Sequence, residues 1–284
     1  MSAYEQYVKQ LPVIPEVARK VVNIAEDKID ISFGELEELI MMDPGLTTKI
    51  LRVANSALYA RPQEITNLRT AISLLGFKNI KSLVLLVTAS TLTTNNRKCA
   101  FYRFFWQHAV MTALTSRHIA KRLGLKERIE EAFLLALLHD VGQVALYNSA
   151  PAEYEQALEQ AKEQGARISE IEQDMFGITH KDVGGRIFKS WNFPDSFIDT
   201  AREHGTANVT SRHKRLIMIV SVADFLVSNK DFYTDNPLSP ELIRDALATI
   251  GLAEDDLSYY TDEFLEEIQQ DPMYEETKQI FNLA

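Results

Sequence analysis

Few side chains in this sequence can do metal or acid–base chemistry at neutral pH, and most of them fall in its middle. There are six histidines, His108, His118, His139, His180, His204 and His213, and a single cysteine, Cys99. The sharpest signal is the dipeptide His139-Asp140 within the very apolar run LLALLHDVGQVAL. Ionisable groups set in such a run need partners, because a buried charge without one is costly. An imidazole beside a carboxylate can ligate one divalent cation, which would offset the burial of Asp140. A satisfied hydrogen bond at a helix end explains the pair equally well, so the dipeptide alone leaves both readings open.

The other candidates sharpen the question. His108 falls on one stripe with Phe104, Phe105 and Thr112, each about one helix turn apart, which faces it inward as a ligand or as a core histidine bonded to a carbonyl. His118 is rotated by about 80° from that stripe and is expected at the surface. His180 opens THKDVGGRIFKSWNFP, where Gly184 and Gly185 allow close backbone approach and Trp191 anchors the far end. His204 closes FIDTAREHG, and His213 in TSRHK is expected in solvent. Asp224, inside IMIVSVADFLV, demands a cap, an ion-pair partner or a role as the closing ligand opposite His139.

Helices must position these groups, since strand-type alternation accumulates nowhere. Pro15 starts a first helix with Val17, Val21, Ile24 and Ala25 on one stripe. Ser32 and Glu35 read as a capping box, with Ile31 and Leu36 as its hydrophobic staple. Asp43-Pro44 starts a helix carrying Leu46, Ile50, Val53, Ala54 and Leu58. Its polar Arg52, Asn55 and Ser56 read as a ligand or partner contact or, the preferred reading, as a buried polar network tying it to the following unit. Helical patterning continues from Thr66 to about Leu92 with an interruption at Gly76, and the polar run from Thr91 to Lys98 is the best boundary. Beyond it come helices over Phe101 to Leu123, Ile129 to about Tyr147, Glu153 to Gln164, and Leu216 to Val227. Ser169 and Glu172 form a second capping box, Thr179 caps the helix that His180 begins, and Pro194 ends the passage after it.

The 284 residues are 46% apolar and 25% charged, enough for a large buried core. No stretch approaches the ~18 apolar residues of a membrane span, no secretory leader is evident, and one cysteine fits a reducing compartment. A cytoplasmic protein is expected. The net charge of −10 is uneven: from Asp231 onward fourteen acidic residues face only Arg244 and Lys278, a net −12, so the remainder carries +2. An acidic tail repels phosphate backbones, so direct nucleic-acid binding is disfavoured despite a turn at Gly76 like that of a DNA-binding helix pair.

The order His108, His139-Asp140, His180, His204, Asp224 resembles the ligand series of the HD-domain metal-dependent phosphohydrolase superfamily. Upstream, LPVIPEVARKVVNIAED, MMDPGLTTKILRVANSALY and TNLRTAISLLGFKNIKSLVL resemble successive signatures of HDOD domains, the regulatory relatives of those enzymes. The likeness runs from about Leu11 to about Asn229. It implies an all-α fold, a compact multi-helix HD-like bundle with an N-terminal helical part (1–95) and an HD-like part (96–230); the acidic remainder (231–284) falls outside the likeness and is expected to form a helical C-terminal extension.

The resemblance also implies that His108, His139, Asp140 and Asp224 hold one metal. His180 and His204, with Glu203 as an added candidate, would hold a second that Asp140 bridges. The ion would be Fe, Mn, Ni, Co or Zn, with no organic cofactor. Two departures weigh against cyclic dinucleotide cleavage: Gln143 stands where related phosphodiesterases carry lysine, and their Gly-Tyr-Pro signature is absent after EHGTA. The expected function is therefore a signal-transduction module that binds a signalling protein and acts without catalysis. The alternative is a phosphohydrolase with His139 and Asp140 as catalytic candidates and a nucleotide or other phosphate ester as ligand. The oligomeric state, ligand and stimulus stay open.

Overall fold

A computed structural model describes residues 14–24, 33–55, 65–93, 99–206, 208–228 and 240–281. Among the described residues every regular element is helical and no strand occurs. The Ser32, Ile31, Leu58, Ala25 and Ser56 expectations lie outside the described residues.

The N-terminal part contains α1 (Glu16–Val22), α2 (Phe33–Met41), α3 (Pro44–Ala54) and α4 (Leu68–Ala89). Asp43 caps α3 as its sequence predicts, its carboxylate accepting from the Leu46 amide at 2.9 Å. Gly76, with φ 80° and ψ 163°, breaks α4, and the halves on either side meet at 108°. That left-handed φ suits glycine and explains why the apolar pattern is interrupted there. Asn55 does not tie α3 to the following unit. Its side chain closes a local loop instead, accepting from the Ile65 amide at 2.7 Å and donating to the Ile65 carbonyl at 2.8 Å, while Arg52 is exposed.

The central part holds α5 (Ala100–Arg122), α6 (Ile129–Leu138), α7 (Val141–Ser149), α8 (Pro151–Gln164), α9 (Ile168–Phe176), α10 (His180–Ser190), α11 (Asp195–Glu203) and α12 (Lys214–Ser228). α5 packs along α6 and α12, α10 lies against both α7 and α11, and α4 reaches α6. The buried apolar residues form one cluster from Ile14 to Ile280. Burial of this kind, at about 25 cal/mol per Å² of apolar area, is what holds short helices in place.

The stretch from Ile129 to Tyr147 is not the single helix its apolar content suggests. It breaks at His139-Asp140, where Asp140 takes φ −101° and ψ 14° and its carbonyl accepts from the Gln143 amide at 2.8 Å. The break lets α7 swing toward α10. Gly142 makes this approach feasible, since a Cβ there would sit 1.9 Å from the His180 carbonyl oxygen. The break turns an apolar helix end into a corner that aims two polar side chains inward.

The C-terminal part comprises α13 (Pro240–Ile250), α14 (Asp262–Gln269) and α15 (Pro272–Phe281). α13 packs on α12, and α14 and α15 pack on α5. No single described helix is long and apolar enough to cross a membrane.

Candidate metal centre

Six residues from five places in the fold meet in the core: His108 from the middle of α5, His139 and Asp140 from the α6–α7 corner, His180 from the first turn of α10, His204 from the end of α11, and Asp224 from α12. All are at most 4% exposed. His108 Nε2 lies 3.1 Å from Asp224 Oδ1, and His139 Nε2 lies 3.3 Å from Asp140 Oδ2 and 4.0 Å from Asp224 Oδ1. His180 Nε2 and His204 Nε2 lie 3.4 and 3.1 Å from Asp140 Oδ1. Asp140 thus stands between two sets of imidazoles, one oxygen toward each.

The backs of three of the rings are fixed, those of His139, His204 and His180. His139 Nδ1 is 2.6 Å from the Ala136 carbonyl, and His204 Nδ1 is 2.9 Å from the Thr200 carbonyl. These contacts suit donation by Nδ1–H, which leaves Nε2 as a lone-pair donor facing the cluster. His180 differs, because its Nδ1 meets a carboxylate: Glu172 Oε2 lies 2.6 Å from it and also accepts from the His180 amide at 2.7 Å. The other Glu172 oxygen accepts from the Tyr154 hydroxyl at 2.6 Å.

Glu172 is therefore not the capping partner of Ser169 that its spacing suggests. It is fully buried, α9 begins at Ile168, and its N-cap Arg167 makes no side-chain cap bond. Sequence reasoning missed it as a site residue because an S-x-x-E spacing reads the same for a surface cap as for a carboxylate turned inward. The i, i+8 relation to His180 across the Gly177 turn was the available signal.

The buried charges set each other's protonation. Burial pushes the His139 imidazole down, but Asp140, Asp224 and the Ala136 carbonyl outweigh it and raise its pKa to about 9. Burial likewise opposes a charged His180, yet Glu172 and Asp140 hold it well above its ordinary value. His204 goes the other way, lowered by burial and by neighbouring Lys181 despite Asp140. Burial would raise both carboxyls, but the imidazoles hold Asp140 well below the usual range, and His108 and His139 bring Asp224 down as well.

Two overlapping triads, His108–His139–Asp224 and His139–Asp140–His204, have their ligand atoms within 4.8 Å of one another. Nε2 of His139, His180 and His204 and Oδ1 of Asp140 are buried with no hydrogen-bond partner. Buried polar atoms are seldom left so, and imidazole nitrogens with carboxylate oxygens are the donor set of first-row divalent metals. The residues fit such an ion.

Other expectations shift. Glu203 faces away from the cluster, its carboxylate accepting from the Thr210 and Ser211 amides at 2.8 and 3.2 Å, so it braces a loop. Phe104 is not buried with His108 but 36% exposed, while Phe105 and Thr112 are inside. His213 is half-buried, 3.0 Å from Asp199 Oδ2. His118 is covered by the C-terminal part, its ring stacked on Tyr259 with centroids 5.5 Å apart. Gln143, the departure from the lysine pattern, donates to Asp140 Oδ2 at 2.9 Å.

A helical scaffold that closes four histidines and two aspartates in its core defines the HD-like class of all-helical proteins. Within that class the chain belongs to the HDOD domain family, whose pattern matches residues 11–207. An HDOD domain protein with unknown function from Geobacter sulfurreducens superposes with TM-score 0.70 at 22% identity, over 99% of this chain and 96% of its own. A provisionally named phosphohydrolase from Shewanella amazonensis SB2B gives 0.73 at 21% identity, over 98% of each chain. An uncharacterized protein of Treponema pallidum (strain Nichols) is 24% identical over 220 residues, 75% of this chain, which spans 42% of that protein's length.

Proposed function

We propose that this chain is a signal-transduction module whose core cluster binds a divalent transition metal and which acts by associating with a signalling protein, without catalysis. His108, His139, Asp140 and Asp224 hold the first ion. His180 and His204 share Asp140 toward a second, with Glu172 bracing His180 from behind. The observation that carries this reading is the meeting of buried, hydrogen-bond-free Nε2 atoms around Asp140. A metal there would supply fixed positive charge and Lewis acidity.

What argues against turnover is that, among the described residues, no cation for a phosphate lines the cavity that reaches His108 and Asp140, and Gln143 stands beside Asp140 in that lining. Phosphoryl chemistry depends on such charge stabilisation. A partner would read the occupancy of this centre through the elements that close on it, α5, the α6–α7 corner, α10, α11 and α12.

Elemental analysis of protein purified without chelator tests the metal. Near-stoichiometric Fe, Mn, Ni, Co or Zn, lost in His139→Ala, supports the reading, and metal-free protein with unchanged stability on added metal overturns it. The second reading, a metal-dependent phosphohydrolase in a cytoplasmic setting, is favoured by the open route from solvent to Asp140. Phosphate-ester turnover that disappears in Asp140→Ala would establish it and displace the first. Affinity capture at native abundance that recovers the same proteins with an unfolded variant would remove the partner assignment.

A further inference from the structure

The peptide unit that follows His204 is held on both edges. α11 ends at Glu203, and His204 takes φ −60° and ψ 146°, so its carbonyl has left the helical ladder. Gly205 then turns the chain with φ 64°, a left-handed value that suits glycine. Both residues are buried, and a buried peptide unit outside a helix needs partners for its carbonyl and its amide. Two side chains from different helices supply them. The Lys181 ammonium donates to the His204 carbonyl at 2.9 Å, and the Gly205 amide donates to the Ser221 hydroxyl at 2.9 Å. That hydroxyl itself donates to the Ile217 carbonyl at 2.9 Å, which fixes its direction as an acceptor. Lysine is seldom buried so far, yet Lys181 is 8% exposed, where its charge suits the C-terminal end of α11.

We propose that Lys181 and Ser221 are positioning residues for the second ion, setting His204 against Asp140 by clamping the His204–Gly205 peptide. This deepens the metal-site reading and rests on it. Lys181 follows His180 in the first turn of α10, and Ser221 lies within one turn of Asp224 on α12. The clamp therefore ties the end of α11 to two helices that carry other members of the cluster. The contact of His204 Nδ1 with the Thr200 carbonyl cannot do this, because it fixes the ring only to its own helix. Where that helix end stands decides whether His204 Nε2 meets Asp140 Oδ1, 3.1 Å away. His108 and His139 take their places from α5 and the α6–α7 corner, so loss of the clamp falls on the second ion and spares the first.

The full chain, stripped with chelator, is titrated with cobalt(II) and followed by calorimetry and visible absorption. The wild type takes the ion in two steps. Lys181→Met keeps the length of the stem and removes the donor; Ser221→Ala removes the acceptor. Each weakens the second step by about 10- to 100-fold, the usual effect of losing a contact behind a ligand, and leaves the first unchanged. The double variant loses less than the product of the two factors, because both side chains hold one peptide. The ligand-field absorption of the second step also changes in intensity, which a loss of overall stability would not produce. Ser221→Ala is the milder change and decides alone should Lys181→Met not fold. Equal weakening of both steps is general destabilisation and overturns the inference. A second step unaltered in both variants overturns it too and leaves the metal reading intact. A wild type that takes one ion removes the second ion and this role with it, while the metal reading stands; a wild type that takes none removes both.

Discussion

Two regions of the molecule cover a histidine by opposite means. At the α6–α7 corner His139 is buried beside the Asp140 and Asp224 carboxylates, and its pKa rises to about 9. Near the end of α5 His118 is enclosed by rings: it stacks on Tyr259 and meets Phe264 edge-on at 4.8 Å, with Arg122 and Lys121 nearby, and its pKa falls. The C-terminal part is where the chain's acidic residues most outnumber its basic ones, yet it covers His118 with aromatic groups. Its acidic groups serve other ends there, Asp256 taking Arg122 at 2.6 Å. The groups beside an imidazole set the direction of its shift: carboxylates raise His139 against its burial, while rings and neighbouring cations lower His118.

The largest break in this contrast comes from Asp140→Ala. It removes the oxygen that His180 and His204 face and the main counter-charge of His139, so metal binding is lost. Removing one partner from buried charges costs about 3–5 kcal/mol, read as a drop in the urea midpoint of metal-free protein. Asp256→Ala at the C-terminal face leaves metal content unchanged.

Glu172→Ala comes next. It leaves the Tyr154 hydroxyl and the His180 amide without their shared acceptor, for about 1–3 kcal/mol. It also weakens metal binding by roughly 10- to 100-fold, the usual effect of losing a carboxylate behind a ligating histidine. Glu172→Gln should recover most of the stability and only part of the affinity, measured by competition with a chromophoric chelator.

pH separates the regions by sign. A raised His139 stabilises the metal-free fold fully below its unfolded value near 6.5, and that contribution disappears as pH climbs through about 9. His180 acts in the same direction, while His204, lowered, opposes on the acid side. A lowered His118 contributes above pH 6.5 and ceases to as pH falls through its folded value. Hydrogen exchange should thus find α14 and α15 loosening toward acid and the α6–α7 corner loosening toward base in chelator-treated protein. Loosening of both on the same side would refute the contrast.

The smallest effect is Arg122→Ala. Its guanidinium lies 4.6 Å from the Tyr259 centroid and pairs with Asp256 at a partly exposed site. Its loss should cost about 0.5–1 kcal/mol, confined to exchange in the 3₁₀ turn Glu254–Tyr259 and α14.

Much of the site was legible in advance for a plain reason. His139, Asp140 and Asp224 sit in runs so apolar that their burial was nearly forced, and buried ionisable groups must find one another. Thr179 and Asp43 declared their caps because the capping residue and the amide it satisfies are neighbours in the chain. Glu172 was misread because its partners, Tyr154 and His180, lie 18 and 8 residues away and nothing local marks the inward turn. His118 was misplaced because the Tyr259–Phe264 segment that covers it lies more than 130 positions downstream.

By itself the sequence determined that the chain is helical, which groups are ionisable, and which of them stand in apolar surroundings, since periodicity and hydrophobicity are local properties. Only the tertiary structure decided that α6 and α7 part at Asp140, that Glu172 stands behind His180, that Glu203 turns away, and that rings rather than carboxylates cover His118. Those outcomes depend on which surfaces meet, and packing energy is set by contacts between segments far apart in the chain.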